Sequence, residues 1–229
     1  MAETGEIEYE FGVPIPGRIL PEAQWARTAI KRLPPAAPMD FEAVFGRRAP
    51  IVIELGCGNG RYTLQSALAR PDHDHVAVDV LPVVIRYATR RANQRGLSNT
   101  RFVVKDAQTF IARYVAESSV AEVHLYHPQP YRDPRDAHLR VVTPRFLADV
   151  HRALAPSGHF VVQTDNPGYW SQIAKIAPVF FDFRAHPDAW PDAPEGRSRR
   201  EILARRRGMR IYRAEGLKRS STTGMERRV

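Results

Sequence analysis

The sequence predicts an α/β fold, a mostly parallel seven-stranded sheet with helices on both faces. Three observations predict it. From residue 51 onward short apolar runs alternate with helix-length amphipathic stretches, a pattern that gives crossover connections between parallel strands. The first run, Ile51 to Leu55, breaks into Gly56, Gly58 and Gly60 before a helical pattern starts near Arg61; strand, glycine turn, helix is the geometry that lets backbone approach a nucleoside ligand. Glu54, Asp79, Asp106 and Thr164-Asp165 all fall at predicted strand ends, and in open sheets of this kind ligands bind beyond the carboxyl ends of the strands.

The elements follow in order. Residues 1–48 mix Pro, Gly and charge and are expected to form an N-terminal arm, with one amphipathic helix over 21–33. Strands are expected at 51–55, 75–80, 101–104, 121–126 and 158–164, with further candidates near 180–184 and 209–213. Helices are expected at 61–70, 81–95, 107–115, 143–154 and 169–178, and the helix over 81–95 carries a basic face of Arg86, Arg90, Arg91 and Arg95. Ala155-Pro156-Ser157-Gly158 is a stop-and-turn signal between helix and strand. Residues 49–219 form the catalytic domain in this reading, including a basic segment at 196–219, and 220–229 form a disordered tail. Residues 182–194, with their prolines, read as a surface loop, and Trp25, Trp170 and Trp190 as packing residues.

Composition narrows the classes. At 229 residues and 43% hydrophobic content the chain supports a sizeable core. No window of about 18 uncharged apolar residues exists, which excludes a helical membrane span, and the acidic start Met1-Ala2-Glu3 lacks a signal region. Cys57 is the single cysteine, so no internal disulfide forms, and a cytoplasmic location is expected. His124 and His127 have no cysteine or carboxylate spacing that completes a metal site, so no metal is expected. The net charge of +9 is concentrated after residue 196, in a run that includes Arg197, Arg199, Arg200, Arg205, Arg206, Arg207, Arg210 and Arg213. Such a run is an electrostatic footprint for nucleic-acid phosphate. Ile211-Tyr212 and Leu217 within it suggest a folded strand.

The spacing Glu54-x-Gly56-x-Gly58-x-Gly60 differs from the Gly-x-Gly-x-x-Gly of dinucleotide sites, because an acid stands in the strand just before the turn. A carboxylate there repels a pyrophosphate and suits a ligand carrying an ammonium and a sulfonium, which is S-adenosylmethionine. Asp79 ends the next strand, where an acid binds ribose hydroxyls. Asp106, after the third strand, completes a set of cofactor-binding candidates: Glu54, Gly56, Gly58, Gly60, Asp79 and Asp106.

After strand 121–126 comes His127-Pro128-Gln129-Pro130-Tyr131-Arg132-Asp133-Pro134-Arg135. Prolines stiffen this loop, and an amide, a ring and arginines suit a planar nucleobase that stacks on Tyr131 and presents an edge to Gln129. With this loop in view the chain resembles the bacterial tRNA (guanine-N7)-methyltransferase family, a Rossmann-like class I S-adenosylmethionine-dependent group. The resemblance runs from about Gly17 to Arg219. It rests on Gly17-Arg18 through Gln24, the three acids, Thr164-Asp165 with Tyr169, and Ser198-Arg199-Arg200-Glu201 followed by Gly208 and Ile211-Tyr212-Arg213. It implies Gln129 and Asp165 as the catalytic pair. Tyr131, Arg135, Arg140, Asp165, Ser198 and Glu201 would be substrate-binding, and a guanine in tRNA, number 46 of the variable loop, the target. It implies either a monomer or a homodimer.

One departure stands out: the family's Pro-Asp-Pro-Trp is Pro128-Gln129-Pro130-Tyr131 here. Guanine N7 already carries an in-plane lone pair, so methyl transfer needs orientation at about 3 Å and no general base. Loss of a charge-assisted pair to the guanine edge costs about 1.5–3 kcal/mol, which slows the reaction without abolishing it; Asp165 is a candidate to supply the missing carboxylate. Two other readings stay open, an RNA-binding paralogue impaired in catalysis and a methyltransferase of another nucleic-acid acceptor.

Overall fold

The structure is a computed structural model that describes residues 5–33, 35 and 38–219. The tail expected at 220–229 lies outside the described residues. In chain order the elements are β1 (Tyr9–Glu10), β2 (Val13–Pro14), α1 (Phe41–Phe45), β3 (Ile51–Leu55), α2 (Arg61–Ala69), β4 (Asp74–Asp79), α3 (Pro82–Gln94), β5 (Thr100–Val104), α4 (Ala107–Arg113), β6 (Val120–Tyr126), α5 (Pro144–Ala153), β7 (Leu154–Thr164), α6 (Pro167–Ile176), β8 (Phe181–His186), α7 (Arg199–Arg206) and β9 (Tyr212–Lys218). Seven strands form one sheet in the order β5-β4-β3-β6-β7-β9-β8. The pairings from β5 to β7 are parallel, and β9 runs antiparallel to both β7 and β8. The order reverses between β3 and β6, and that switch point opens the crevice used below.

Local chemistry starts the helices where they start. Prolines occupy the first turn of α3, α5 and α6, where the missing N–H costs nothing. Asp106, Thr143, Asn166 and Ser198 accept backbone hydrogen bonds as N-caps of α4, α5, α6 and α7. Alternate side chains of the central strands then bury on opposite faces. Ile51, Ile53, Leu55, Val76 and Val78 join Phe110, Phe146, Leu147 and Phe160 in the larger core. Ala77, Leu64, Ile85, Ala88 and Phe102 form a second core beneath α2 and α3. Over β3, β6 and β7 that second face is covered by the irregular chain of 187–197, with Trp190 packed in a cluster with Val52, Tyr62, Tyr126 and Val161.

Three expectations are corrected. Residues 21–33 do not form a helix; beyond a single 3-10 turn at Glu22–Gln24 the chain is extended. Thr28 and Ile30 exchange backbone hydrogen bonds with Phe102, and Ala29 bridges it in parallel, so this segment covers the exposed edge of β5. The arginine run after residue 198 begins as a helix, α7, and only from Tyr212 becomes a strand. The supposed surface loop at 182–194 is strand as far as His186 and buries Trp190 to 6% exposure.

Gly60 shows how the glycine turn joins sheet and helices. Its φ is 78°, and a Cβ there would stand 2.8 Å from the Ala88 Cβ. Gly46 has a similar φ of 73° with nothing near an added Cβ. Gly60→Ala is therefore expected to lower stability by about 2–4 kcal/mol, from left-handed strain plus overpacking. Gly46→Ala should cost about 1 kcal/mol, from strain alone. Urea unfolding midpoints of the two variants check the difference, and equal losses would contradict it.

Candidate active site

The glycine turn is pinned by the acid of the neighbouring strand. Asp79 Oδ2 accepts from Gly58 N at 2.9 Å and Oδ1 from Leu81 N at 3.0 Å. Gly56 and Gly58 have φ of 75° and 51°, and an added Cβ at either meets nothing within 4 Å, because both face open space. Gly60 differs from them in packing on Ala88. Cys57, inside the turn, is buried, and burial pushes its thiol well up.

Glu54 stands under the turn at 3% exposure. Its Oε2 accepts from Thr63 N at 3.2 Å and from Thr63 Oγ1 at 2.5 Å. Burial pushes its carboxyl up to about 8, against the pull of the Thr63 hydrogen bonds. Among the described residues no cation is hydrogen-bonded to it. A buried carboxylate without a cation destabilises its own charged form, so this position suits a positively charged ligand group.

Two adjoining cavities share Gly56, Tyr126 and His127. The first, about 330 Å³, is lined by Glu54, Gly58 and Arg61 on the sheet side and by Arg197, Ser198 and Arg200 from the C-terminal segment. The second, about 620 Å³, is lined by Asp79, Asp106, Gln129, Tyr131 and Arg140. The structure thus brings Glu54, the glycine turn, Asp79, Asp106, Gln129 and Tyr131 to one rim. Asp106 also caps α4, its Oδ1 accepting from Thr109 N at 2.7 Å.

The loop after β6 is strained and clamped. His127 and Tyr131 have φ of 50° and 40°, left-handed values that cost non-glycine residues about 1–3 kcal/mol each. Arg140 holds this shape by donating to Pro130 O at 2.8 Å and Tyr131 O at 3.3 Å, while Nη1 donates to Gln172 Oε1 and the guanidinium lies over the Tyr169 ring. Gln129, between the prolines, is exposed to the cavity, and among the described residues no hydrogen bond ties its amide. Arg135 is 88% exposed and paired with Asp133.

Behind the loop lies a buried polar chain that the sequence reading missed. Gln163 Oε1 accepts from Trp190 Nε1 at 2.7 Å and from Arg213 Nε at 3.1 Å. Both partners only donate, which turns the amide nitrogen toward His127 Nε2 at 2.8 Å. Nε2 must then accept, so His127 carries its proton on Nδ1 and donates to Asp165 Oδ1 at 3.0 Å. Asp165 Oδ2 accepts from Arg200 at 2.6 Å. His127 first, then Arg200, hold the Asp165 carboxyl well below the usual carboxylate range, although burial pushes the other way.

In this geometry several expected substrate residues are also engaged within the protein. Asp165 is 7% exposed and has both oxygens engaged, so it orients His127 and α7. Ser198 and Glu201 form a cap for α7. Ser198 accepts from Glu201 N at 3.1 Å, and Glu201, fully buried, accepts from Arg197 N at 2.9 Å and Arg213 Nη2 at 2.5 Å. Arg140 is a loop clamp. A capping-box reading of Ser-x-x-Glu would have found the first pair from sequence; no sequence signal marked Gln163, and Arg213 was marked only as part of the arginine run and the family resemblance, with no partner named.

With the site in view, the chain can be set beside known proteins. Residues 48–214 match a family model described as "Putative methyltransferase". The tRNA (guanine-N(7)-)-methyltransferase of Alcanivorax borkumensis is 32% identical over 189 residues, 82% of this chain and 77% of its own length. That of Alkalilimnicola ehrlichii is 29% identical over 189 residues, 82% and 79%. That of Bordetella pertussis is 34% identical over 139 residues, where this chain spans 55% of its relative. Among solved structures, the 16S rRNA methyltransferase KamB superposes with a TM-score of 0.62 at 17% identity, covering 85% of this chain and 99% of its own. The 16S rRNA (adenine(1408)-N(1))-methyltransferase of Catenulisporales acidiphilia gives 0.57 at 16% identity, covering 85% and 96%. These two speak for the class I methyltransferase fold. The family-model match and the identity to the Alcanivorax protein across most of both chains make this chain a divergent member of the tRNA (guanine-N(7)-)-methyltransferase family.

Proposed function

We propose that this chain transfers a methyl group from S-adenosylmethionine to N7 of a guanine in tRNA, guanine 46 of the variable loop. One observation carries the reading. A buried carboxylate with no cation hydrogen-bonded to it among the described residues, an open glycine cradle and an acid on the next strand face the same crevice as an amide on a strained loop that no described residue engages. The first three fit the cofactor: Glu54 would hold its ammonium, Gly56 and Gly58 would admit it to the backbone, and Asp79 and Asp106 would hold its nucleoside. When bound, the cofactor supplies a methyl group on a sulfonium.

The protein's part is orientation. Gln129 faces the cavity from a backbone that Arg140 clamps and His127 anchors, so its amide meets a base edge without first being ordered. Its oxygen accepts from a guanine N–H, and Tyr131 offers a ring beside it. N7 attacks with its own lone pair, so no group in the site need take a proton. Since Asp165 is engaged by His127 and Arg200, it does not replace the family's loop aspartate, and the charge that an aspartate would set against the methylated ring is missing. The same observation favours the reading of a catalytically impaired RNA-binding paralogue, and turnover separates the two.

Incubation with unmodified tRNA and methyl-labelled cofactor, followed by borohydride and aniline cleavage, should map label to N7 of guanine 46. Gln129→Asp should raise kcat about 10–100-fold, restoring about 1.5–3 kcal/mol of charge-assisted pairing. A folded, cofactor-binding protein that yields no N7 label, with no gain in the variant, would refute the enzymatic reading.

A pH dependence follows from Glu54. Its carboxyl is raised to about 8, so near pH 7 it is mostly protonated, and a cationic ligand requires it ionised. Binding must therefore release a proton at pH 7, and affinity should rise with pH until about 8 and then level off. Calorimetry in buffers of different ionisation enthalpy measures the release, which Glu54→Gln should abolish. Proton uptake on binding would have the wrong sign.

A further inference from the structure

The basic face predicted on α3 divides in two. Arg91 and Arg95 turn inward onto Glu8 of the N-terminal arm, with Arg91 Nη2 to Glu8 Oε1 at 2.8 Å and Arg95 Nη2 to Glu8 Oε2 at 3.1 Å. Arg86 and Arg90 point outward, and among the described residues neither has an ion pair or a hydrogen bond. Beside them lies a groove of about 620 Å³ between the arm, α3 and the β5 edge. Its floor is apolar, with Ile30, Ile85 and Phe102. Its rim carries four cations, Lys31, Arg86, Arg90 and Lys105, and among the described residues no carboxylate lines it. Trp25 forms a wall at 39% exposure, its Nε1 tied to Leu20 O at 2.8 Å so that the ring is held in place.

The groove lies next to the active-site crevice, and Lys105 lines both. Exposed Val80, Leu81, Val83 and Tyr87 extend the apolar surface along the start of α3. Several other arginines of this chain are neutralised: Arg47, Arg70, Arg197, Arg200 and Arg213 each hold a carboxylate. Leaving four cations without one around an apolar slot costs self-repulsion, which an anionic occupant relieves. The occupant must offer a flat apolar face to the floor and to Trp25, and negative charge to the rim. An unpaired nucleotide has both, a base for stacking and phosphates for arginine.

We propose that this groove is a second nucleotide subsite, which holds an unpaired nucleotide of the substrate RNA next to the one being methylated. The proposal rests on the tRNA-methyltransferase reading for the identity of the RNA, but the groove's own affinity is measurable without turnover. Two experiments test it. A single-stranded RNA pentamer, added with saturating S-adenosylhomocysteine, should quench tryptophan fluorescence in the wild type, and the quench should vanish in Trp25→Phe. Arg86→Ala/Arg90→Ala should raise the KM for tRNA about tenfold with kcat within about twofold, and flatten the salt dependence of binding by about 1.5 in log–log slope. Affinity for S-adenosylhomocysteine should not change, which reports an intact fold and crevice. An unaltered KM and salt slope in that double variant would overturn the subsite even if methylation proceeds. Equal displacement of the pentamer by polyglutamate would overturn it in favour of an acidic protein partner. If the wild type methylates no tRNA, the enzymatic reading falls, whereas the fluorescence experiment still decides the groove.

Discussion

The Gln163 amide is the interaction on which the rest of the site depends. It sits at the end of β7, buried, with donors on one side and an imidazole on the other. Because Trp190 and Arg213 can only donate, the amide has one satisfied orientation, and that orientation fixes the His127 tautomer and so the bond to Asp165. Arg213 then reaches Glu201, a fully buried carboxylate that also caps α7. Removing one member leaves a buried polar or charged group without a partner, a loss of about 1–3 kcal/mol or more for a charge. The chain of bonds joins β7, β9, α7 and the loop after β6 into one unit, so the C-terminal segment is part of the site.

That unit explains how a strained loop persists. His127 and Tyr131 occupy backbone conformations that only tertiary contacts can hold. His127 is tied through its backbone N to Gln163 O at 2.7 Å as well as through both ring nitrogens. Arg140 closes the other end. Between these anchors Pro128 and Pro130 leave Gln129 few conformations to lose when it meets a ligand. For the proposed reaction, whose acceptor atom brings its own lone pair, such placement would matter more than acid–base chemistry, and an amide could then stand where the family has a carboxylate.

How much of this was legible in the sequence depended on the range of the interaction involved. The five parallel strands and their helices were readable because Ile51-Val52-Ile53 or Phe102-Val103-Val104 bury regardless of partner, and the glycine turn was readable because its backbone requirement is local. The arm at 21–33 misled: its amphipathic pattern serves an edge that pairs with Phe102, and β pairing with a distant strand overrides helix periodicity. Asp165, Ser198, Glu201 and Arg140 were assigned to substrate because polar residues at a rim look alike in sequence. Only their partners, from 3 positions away for Ser198–Glu201 to 38 for Asp165–His127, reveal which are engaged.

The same distinction changes what the charge means. A formal +9 concentrated after residue 196 invites the view that the C-terminal segment is a phosphate-binding tail. In the fold, Arg197 is paired with Asp192 and lies over Trp190 at 4.2 Å, Arg200 holds Asp165, and Arg213 holds Glu201. Arg205 and Arg206 donate to the backbone oxygens of Pro194 and Phe11. Cations already committed to carboxylates have little to gain from a phosphate, since the exchange breaks one pair to make another. Under the proposed function the electrostatic attraction for RNA would come from cations that hold no carboxylate among the described residues, such as Arg86 and Arg90 on α3 and Lys31 on the arm. Under the same proposal, a substrate drawn to those cations would be drawn toward Gln129.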